Sequence, residues 1–172
     1  MFVALDRDGT LIEHVPYLID PARVQVNPRT ARGIRQLNTL GIPVVVVTNQ
    51  SVIGRGLASR ETVEEIHAEI TTQLKALGAV IDGYFFCPHS ADGECECRKP
   101  KPGLIHDAAR LLEMKVSDAV VIGDSWRDMQ LAKDLGVWGL HVQTGPEPLS
   151  TPHPISFSDV LSAIEYLLHN IV

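Results

Sequence analysis

The chain has 172 residues, 45% of them hydrophobic and 21% charged, with a formal net charge of −6, which suits one α/β-sized core over residues 1–172. An acidic balance without any lysine- and arginine-rich tract argues against a nucleic-acid partner. No run approaches the roughly 18 apolar residues of a membrane span, and the first residues lack the pattern of a secretory leader, so a cytoplasmic monomer without a membrane partner is expected.

In chain order, Phe2-Val-Ala-Leu5 is too short for a helix and runs directly into Asp6-Arg7-Asp8-Gly9-Thr10. That pattern predicts a buried strand delivering two carboxylates at its carboxyl end, where open parallel sheets bind ligands. Residues 11–21 carry Pro16 and Pro21 without helical spacing and predict a loop or short hairpin beside the strand end. Pro28 opens a helix over roughly 28–40, with Ile34, Leu37 and Leu40 in helical register and Gly41 as its stop. Pro43 to Val47 is β-branched without alternation, as in a strand covered on both faces, and ends in Thr48-Asn49-Gln50-Ser51.

After a loop containing Gly54-Arg55-Gly56, Ser59 opens a long amphipathic helix that Gly78 closes. A third strand is expected over Val80 to Phe86, interrupted at Asp82-Gly83, followed by a cysteine-bearing loop and a helix over about 103–114. Ala119 to Ile122 predicts a fourth buried strand, emptying into Gly123-Asp124 and, after three residues, Asp128. A short helix to Leu135, a fifth strand over 137–142, a proline-rich surface connection over 146–154 and a last helix from Ser158 to Leu168 complete the chain. Strand and helix alternate, which predicts a Rossmann-like parallel sheet of about five strands flanked by helices, with no insertion large enough to form a cap domain.

Three strands therefore end in complementary polar groups: Asp6 and Asp8, Thr48 and Asn49, then Asp124 with Asp128, while Arg98 and Lys99 precede a crossover helix. Converging carboxylates raise one another's pKa unless a cation neutralises them. A hard divalent ion with oxygen ligands does so, and Mg²⁺ suits a site that bridges to phosphate.

The succession D-x-D-G-T, a strand ending in Thr-Asn, a lysine ahead of a helix, and G-D-x-x-x-D resembles the haloacid dehalogenase superfamily of aspartate-nucleophile phosphatases. The motifs occur in order from Asp6 to Asp128. The resemblance implies that Asp6 attacks phosphorus to form an aspartyl phosphate, and that Asp8 protonates the leaving alkoxide and then activates water. It implies Mg²⁺ held by Asp6, the backbone carbonyl of Asp8 and Asp124, support from Asp128, and phosphoryl oxygens held by Thr48 and Lys99. An acid at the second position fits phosphate-ester hydrolysis, because the leaving alkoxide needs a proton.

All three cysteines, Cys87, Cys95 and Cys97, fall within eleven positions, with His89 beside the first. Three thiolates and an imidazole form a common structural zinc set, and the C-x-H and C-x-C pairs can fold back as two facing arms. A redox thiol pair and plain buried cysteines are the alternatives. Zinc here would brace the loop that delivers Arg98 and Lys99.

C-x-H…C-x-C-R-K-P inside these motifs is similar to a narrower group, the D-glycero-D-manno-heptose 1,7-bisphosphate 7-phosphatases and the related histidinol-phosphate phosphatases. D-R-D-G-T, T-N-Q-S and G-R-G lean towards the heptose enzymes, whereas the short gap between His89 and Cys95 is like the histidinol-phosphate type. Val52 and Ser125 stand where many heptose enzymes have glycine and a substrate-contacting lysine. The resemblance implies a small phosphorylated metabolite as partner, contacted by Arg98, Lys99, the Thr48-Asn49-Gln50-Ser51 turn, and the loop carrying His14 and Tyr17.

Overall fold

Every residue of the first strand, Phe2–Leu5, is buried, and the computed structural model, which describes residues 1–146, 149–150 and 153–171, builds outward from it. The elements are β1 (Phe2–Leu5), α1 (Pro28–Thr39), β2 (Val44–Asn49), α2 (Ser51–Gly54), α3 (Arg60–Ala76), β3 (Gly83–Cys87) and α4 (Gly103–Leu111). They continue through β4 (Ala119–Gly123), α5 (Trp126–Leu135), β5 (Trp138–Val142), β6 (Ser156–Phe157) and α6 (Val160–Ile171). The strands form one parallel sheet in the order β3-β2-β1-β4-β5-β6.

Side chains alternate across this sheet and fill two cores. On one face Val3, Leu5, Val44, Val46, Val120 and Ile122 pack with Ile34 and Leu37 of α1, Ile66 and Ile70 of α3, and Ile164 and Leu167 of α6. On the other, Phe2, Ala4, Val45, Val47 and Val121 meet Leu104, Ile105 and Ala108 of α4 and Leu131 and Ala132 of α5. Burial on both faces explains why the central strands read as unbroken apolar runs rather than alternating ones.

The order of strands also places the site. β1 lies between β2 and β4, with Leu5 opposite Val46 on one side and Ile122 on the other. The chain leaves these strands towards opposite sides of the sheet, so a crevice opens beyond their carboxyl ends. Asp6, Thr48 and Asp124 therefore come together because of register, not because of local sequence.

Besides shifts of up to three residues at the ends of helices, four details differ from the sequence reading. β3 begins at Gly83 rather than Val80, because the Asp82 carboxylate turns to accept from the Val44 amide at 2.7 Å and so ends the approach loop. There are six strands rather than about five; the added β6 is two residues long and pairs with His141 and Val142. The stretch after Gln50, expected as loop, contains the short helix α2. The last helix starts at Val160, not Ser158: Asp159 accepts from the Ser162 amide at 2.8 Å and pairs with Arg29 Nε at 2.7 Å, tying α6 to α1.

Between β1 and α1 the chain runs through an antiparallel bridge, Ile12 to Val26, and a 3₁₀ turn at Pro21–Arg23, as the expected loop or hairpin requires. The proline-rich connection over 146–154 lies partly outside the described residues. Among the described residues no helix is long and apolar enough to cross a membrane.

Candidate active site and metal cluster

Lys99 sits at the centre of the crevice, 4% exposed. Its ammonium donates to Asp6 Oδ1 at 2.7 Å, Asp128 Oδ1 at 2.6 Å and the Val47 carbonyl at 2.9 Å. All three of its donors are thus engaged. These bonds hold its pKa above the ordinary lysine value even though burial pulls the other way. The backbone of Lys99 is gripped as firmly: the Asn49 amide, at the end of β2, accepts from Lys99 N at 2.9 Å and donates to its carbonyl at 3.2 Å.

Asp128, wholly buried on α5, takes Lys99 on one oxygen and the Ser125 amide and hydroxyl on the other. Burial raises its pKa while Lys99 opposes that rise. Among the described residues Asp124 has no such counter-ion. Burial first, and then Asp6 and Asp128, push its carboxyl up to about 8. Its Oδ1 accepts from the Thr10 hydroxyl at 3.1 Å, and its backbone carbonyl accepts from His141 Nε2 at 3.1 Å.

The backbone around Asp124 is kept bare. At Gly9, φ is +83° and a Cβ would lie 2.9 Å from Asp124 Oδ2, while a Cβ on Gly145 would collide with the same carboxylate. Carboxylate oxygens of Asp6, Asp124 and Asp128 lie within 4.8 Å of one another. With a single lysine against three acids, this set fits a divalent cation with oxygen ligands.

Asp8 is held from behind. Arg7, 1% exposed, donates through Nε and Nη2 to the Asp8 carboxylate at 3.0 to 3.2 Å, and through Nη2 to Gln50 Oε1 at 2.8 Å. Gln50 Nε2 completes the ring by donating to Asp8 Oδ2 at 2.8 Å and to Thr48 Oγ1 at 2.9 Å. Arg7 Nη1 meets His67 Nε2 at 3.4 Å. Arginine can only donate, so that ring nitrogen is the acceptor. Burial and then Arg7 hold the imidazole down to about 3, which keeps His67 neutral.

A cavity of about 430 Å³ opens over these groups, lined by Asp6, Asp8, His14, Thr48, Asn49, Lys99, Asp124, Ser125, Trp126 and Arg127, with Pro146, Leu149 and Ser150. Of the residues expected to contact substrate, His14, Thr48, Asn49 and Lys99 line it. Gln50, Ser51, Tyr17 and Arg98 do not. Gln50 is buried in the ring behind Asp8, Ser51 begins α2, and Tyr17 is exposed with Arg55 donating to its hydroxyl at 3.3 Å. Arg98 donates to the His89 carbonyl at 3.1 Å, within the cysteine loop.

That loop brings Cys87, His89, Cys95 and Cys97 together, their ligand atoms all within 4.8 Å of one another. Cys87 Sγ lies 3.7 Å from Cys95 Sγ and 3.5 Å from His89 Nδ1, and Cys97 Sγ lies 3.3 Å from the same nitrogen. Disulfides need sulfurs about 2.05 Å apart. Sulfur corners of a tetrahedron with zinc–sulfur bonds of about 2.3 Å are roughly 3.8 Å apart, close to the Cys87–Cys95 spacing. Burial, then Cys87 and Cys95, push the Cys97 thiol up to about 12, a crowding that a divalent ion relieves.

Comparison with known proteins decides the family. Residues 17–136 match the haloacid dehalogenase-like hydrolase family. The D-glycero-beta-D-manno-heptose-1,7-bisphosphate 7-phosphatase of Rhodopseudomonas palustris is 38% identical over 146 residues, 81% of either chain. The chain belongs to the haloacid dehalogenase-like hydrolases. Its kinship within them is with phosphatases. The D-glycero-alpha-D-manno-heptose-1,7-bisphosphate 7-phosphatase of Mycobacterium tuberculosis is 37% identical, over 76% of this chain and 70% of its own. Among solved structures, D,D-heptose 1,7-bisphosphate phosphatase from B. bronchiseptica, complexed with magnesium and phosphate, superposes with a TM-score of 0.85 at 33% identity, covering 98% of this chain and 99% of that one.

In this haloacid dehalogenase-like hydrolase several residues of the site are not specified by the motifs. His67, within α3, backs Arg7, and His141, within β5, backs Asp124. Trp126 and Arg127 occupy positions that the G-D-x-x-x-D motif leaves open, and both line the cavity. The signal for Arg7 was present: a cation between two acids, directly after a buried strand, has no route to solvent on that face.

Proposed function

We propose that this phosphatase hydrolyses the C7 phosphate ester of D-glycero-D-manno-heptose 1,7-bisphosphate through an aspartyl-phosphate intermediate on Asp6. The observation that supports the substrate most directly is the full-length likeness to a heptose 1,7-bisphosphate phosphatase structure. The chemistry draws its support from the crevice. Asp6, ion-paired to Lys99, offers an ionised carboxylate oxygen at the floor of the cavity. In the first step that oxygen forms a bond to phosphorus as the bond to the C7 oxygen breaks, and Asp8 gives its proton to the departing alkoxide.

In the second step Asp8 takes a proton from water, which attacks phosphorus, releases phosphate and restores Asp6. The ring of Arg7 and Gln50 fixes both oxygens of Asp8 for these transfers. Thr48 accepts from Gln50 through its oxygen, leaving its hydroxyl hydrogen free to donate to a phosphoryl oxygen. An incoming phosphoryl group takes over one Lys99 donor from Asp6, freeing the nucleophile as it arrives. Mg²⁺ would be held by Asp6, Asp124 and the Asp8 carbonyl, supplying electrostatic stabilisation of the phosphoryl oxygens; Asp128, with both oxygens occupied, serves as the partner of Lys99. The reading extends to one catalytic unit over 1–172, working as a cytoplasmic monomer.

The test is a steady-state comparison of heptose 1,7-bisphosphate, histidinol phosphate and other sugar phosphates. A preference in kcat/KM for the heptose ester of at least about a hundredfold, equivalent to roughly 2.7 kcal/mol, is expected. A comparable preference for histidinol phosphate, which the short loop between His89 and Cys95 favours, would overturn the substrate.

We propose further that Cys87, His89, Cys95 and Cys97 bind structural zinc. Protein purified without chelator is expected to carry one zinc, and Cys95→Ser to lose it together with stability on the order of several kcal/mol. Metal analysis and thermal melts check both. Undiminished zinc in the variant would remove the site.

A further inference from the structure

Two residues at the cavity rim break local rules side by side. Trp126, one of two tryptophans in the chain, is 50% exposed at the first position of α5. Arg127 follows it in the first helical turn, where a cation opposes the helix dipole. The Arg127 guanidinium lies over the Trp126 ring, 5.0 Å from its centroid, and joins no ion pair among the described residues. Local choices that cost stability without a structural return mark functional positions.

The charges lining the cavity say what the position is for. Asp6, Asp8 and Asp124 are acids, and Lys99 is already bound by Asp6 and Asp128. Among the described residues of the lining, Arg127 is the cation without an ion-pair partner, and Ser125 offers no charge beside it. Arg98 is directed at the His89 carbonyl instead and lies off the cavity lining. A substrate carrying two phosphates brings one to Asp6; the other needs a cation of its own to enter a cavity walled by carboxylates.

We propose that Arg127, steadied by Trp126, is the subsite for the second phosphate of a sugar bisphosphate, and so sets the preference for bisphosphate over monophosphate esters. The inference rests on the heptose bisphosphate reading above. Arg127 binds the non-reacting phosphate through its guanidinium donors; the Trp126 ring holds that planar group in orientation by a cation–π contact. Trp126 is a positioning residue, and Arg127 the specificity-determining one.

The experiment measures kcat/KM for heptose 1,7-bisphosphate and heptose 7-phosphate with wild type, Arg127→Gln, Arg127→Lys and Arg98→Gln. It adds inhibition by heptose 1-phosphate, the product that keeps only the second phosphate. Arg127→Gln is expected to lower the bisphosphate-to-monophosphate ratio about tenfold or more, through KM, and to weaken inhibition by the product by a similar factor. Arg127→Lys should recover part of the loss, and the ratio in Arg98→Gln should stay within about threefold of wild type. A ratio and inhibition unchanged in Arg127→Gln, or lost in Arg98→Gln alone, overturns the assignment. Wild-type protein that does not distinguish bisphosphate from monophosphate overturns instead the substrate reading beneath it.

Discussion

Asp6→Asn protein is expected to fold and melt like wild type while releasing phosphate at least about a thousandfold more slowly, a barrier increase of roughly 4 kcal/mol. Asparagine matches aspartate in shape and still offers an oxygen to the Lys99 ammonium, which keeps its bonds to Asp128 and Val47. The loss therefore falls on the reaction and not on the packing of β1. What disappears is the anionic oxygen proposed to bond to phosphorus, and Asp128, whose oxygens face Lys99 and Ser125, does not replace it. Phosphate release under saturating substrate, set beside a thermal melt, checks the expectation. Activity within about tenfold of wild type at unchanged stability would take the nucleophile's role away from Asp6.

Lys99→Met is expected to damage both fold and chemistry. Removing one partner of a buried ion pair leaves the other uncompensated and costs about 3–5 kcal/mol, which in a chain of this size is a fall in Tm of roughly 6–20 °C. Asp128 is wholly enclosed and cannot turn to water. A second change separates the two effects. Adding Asp128→Asn to Lys99→Met removes the stranded charge, so much of the stability should return while phosphate hydrolysis stays lost. Recovery of hydrolysis in the double variant, or an unaltered melting temperature in the single one, would contradict the arrangement described.

Much of the floor of this site is legible in the sequence. Asp6, Thr48 and Asp124 each follow a buried apolar run, and parallel pairing with aligned ends brings such residues together whatever lies between them in sequence. The cysteine loop was legible for a similar reason, since ligand type and spacing sit within one short stretch. Interactions between distant segments were not. Gln50 reads as a polar turn residue; only the approach of Arg7 and Asp8 from β1 turns it inward. Asn49 reads as a substrate contact and lines the cavity, but its amide also grips the backbone of Lys99, a residue fifty positions away. The early end assigned to β3 failed on a single side chain, because Asp82 satisfies a backbone amide of β2 that strand pairing would otherwise claim.

The position of β1 has a wider consequence. Asp6 and Asp124 hang from strands bonded on both sides, whereas His14, Trp126, Arg127 and Leu149 reach the cavity from three separate connections outside the sheet. Amino-acid replacements in those connections can reshape which ester is admitted without disturbing the bond-making atoms. Relatives named for opposite anomers of one sugar stand at nearly equal identity to this chain, and such a division of labour gives a rim free to change above a floor fixed by the sheet.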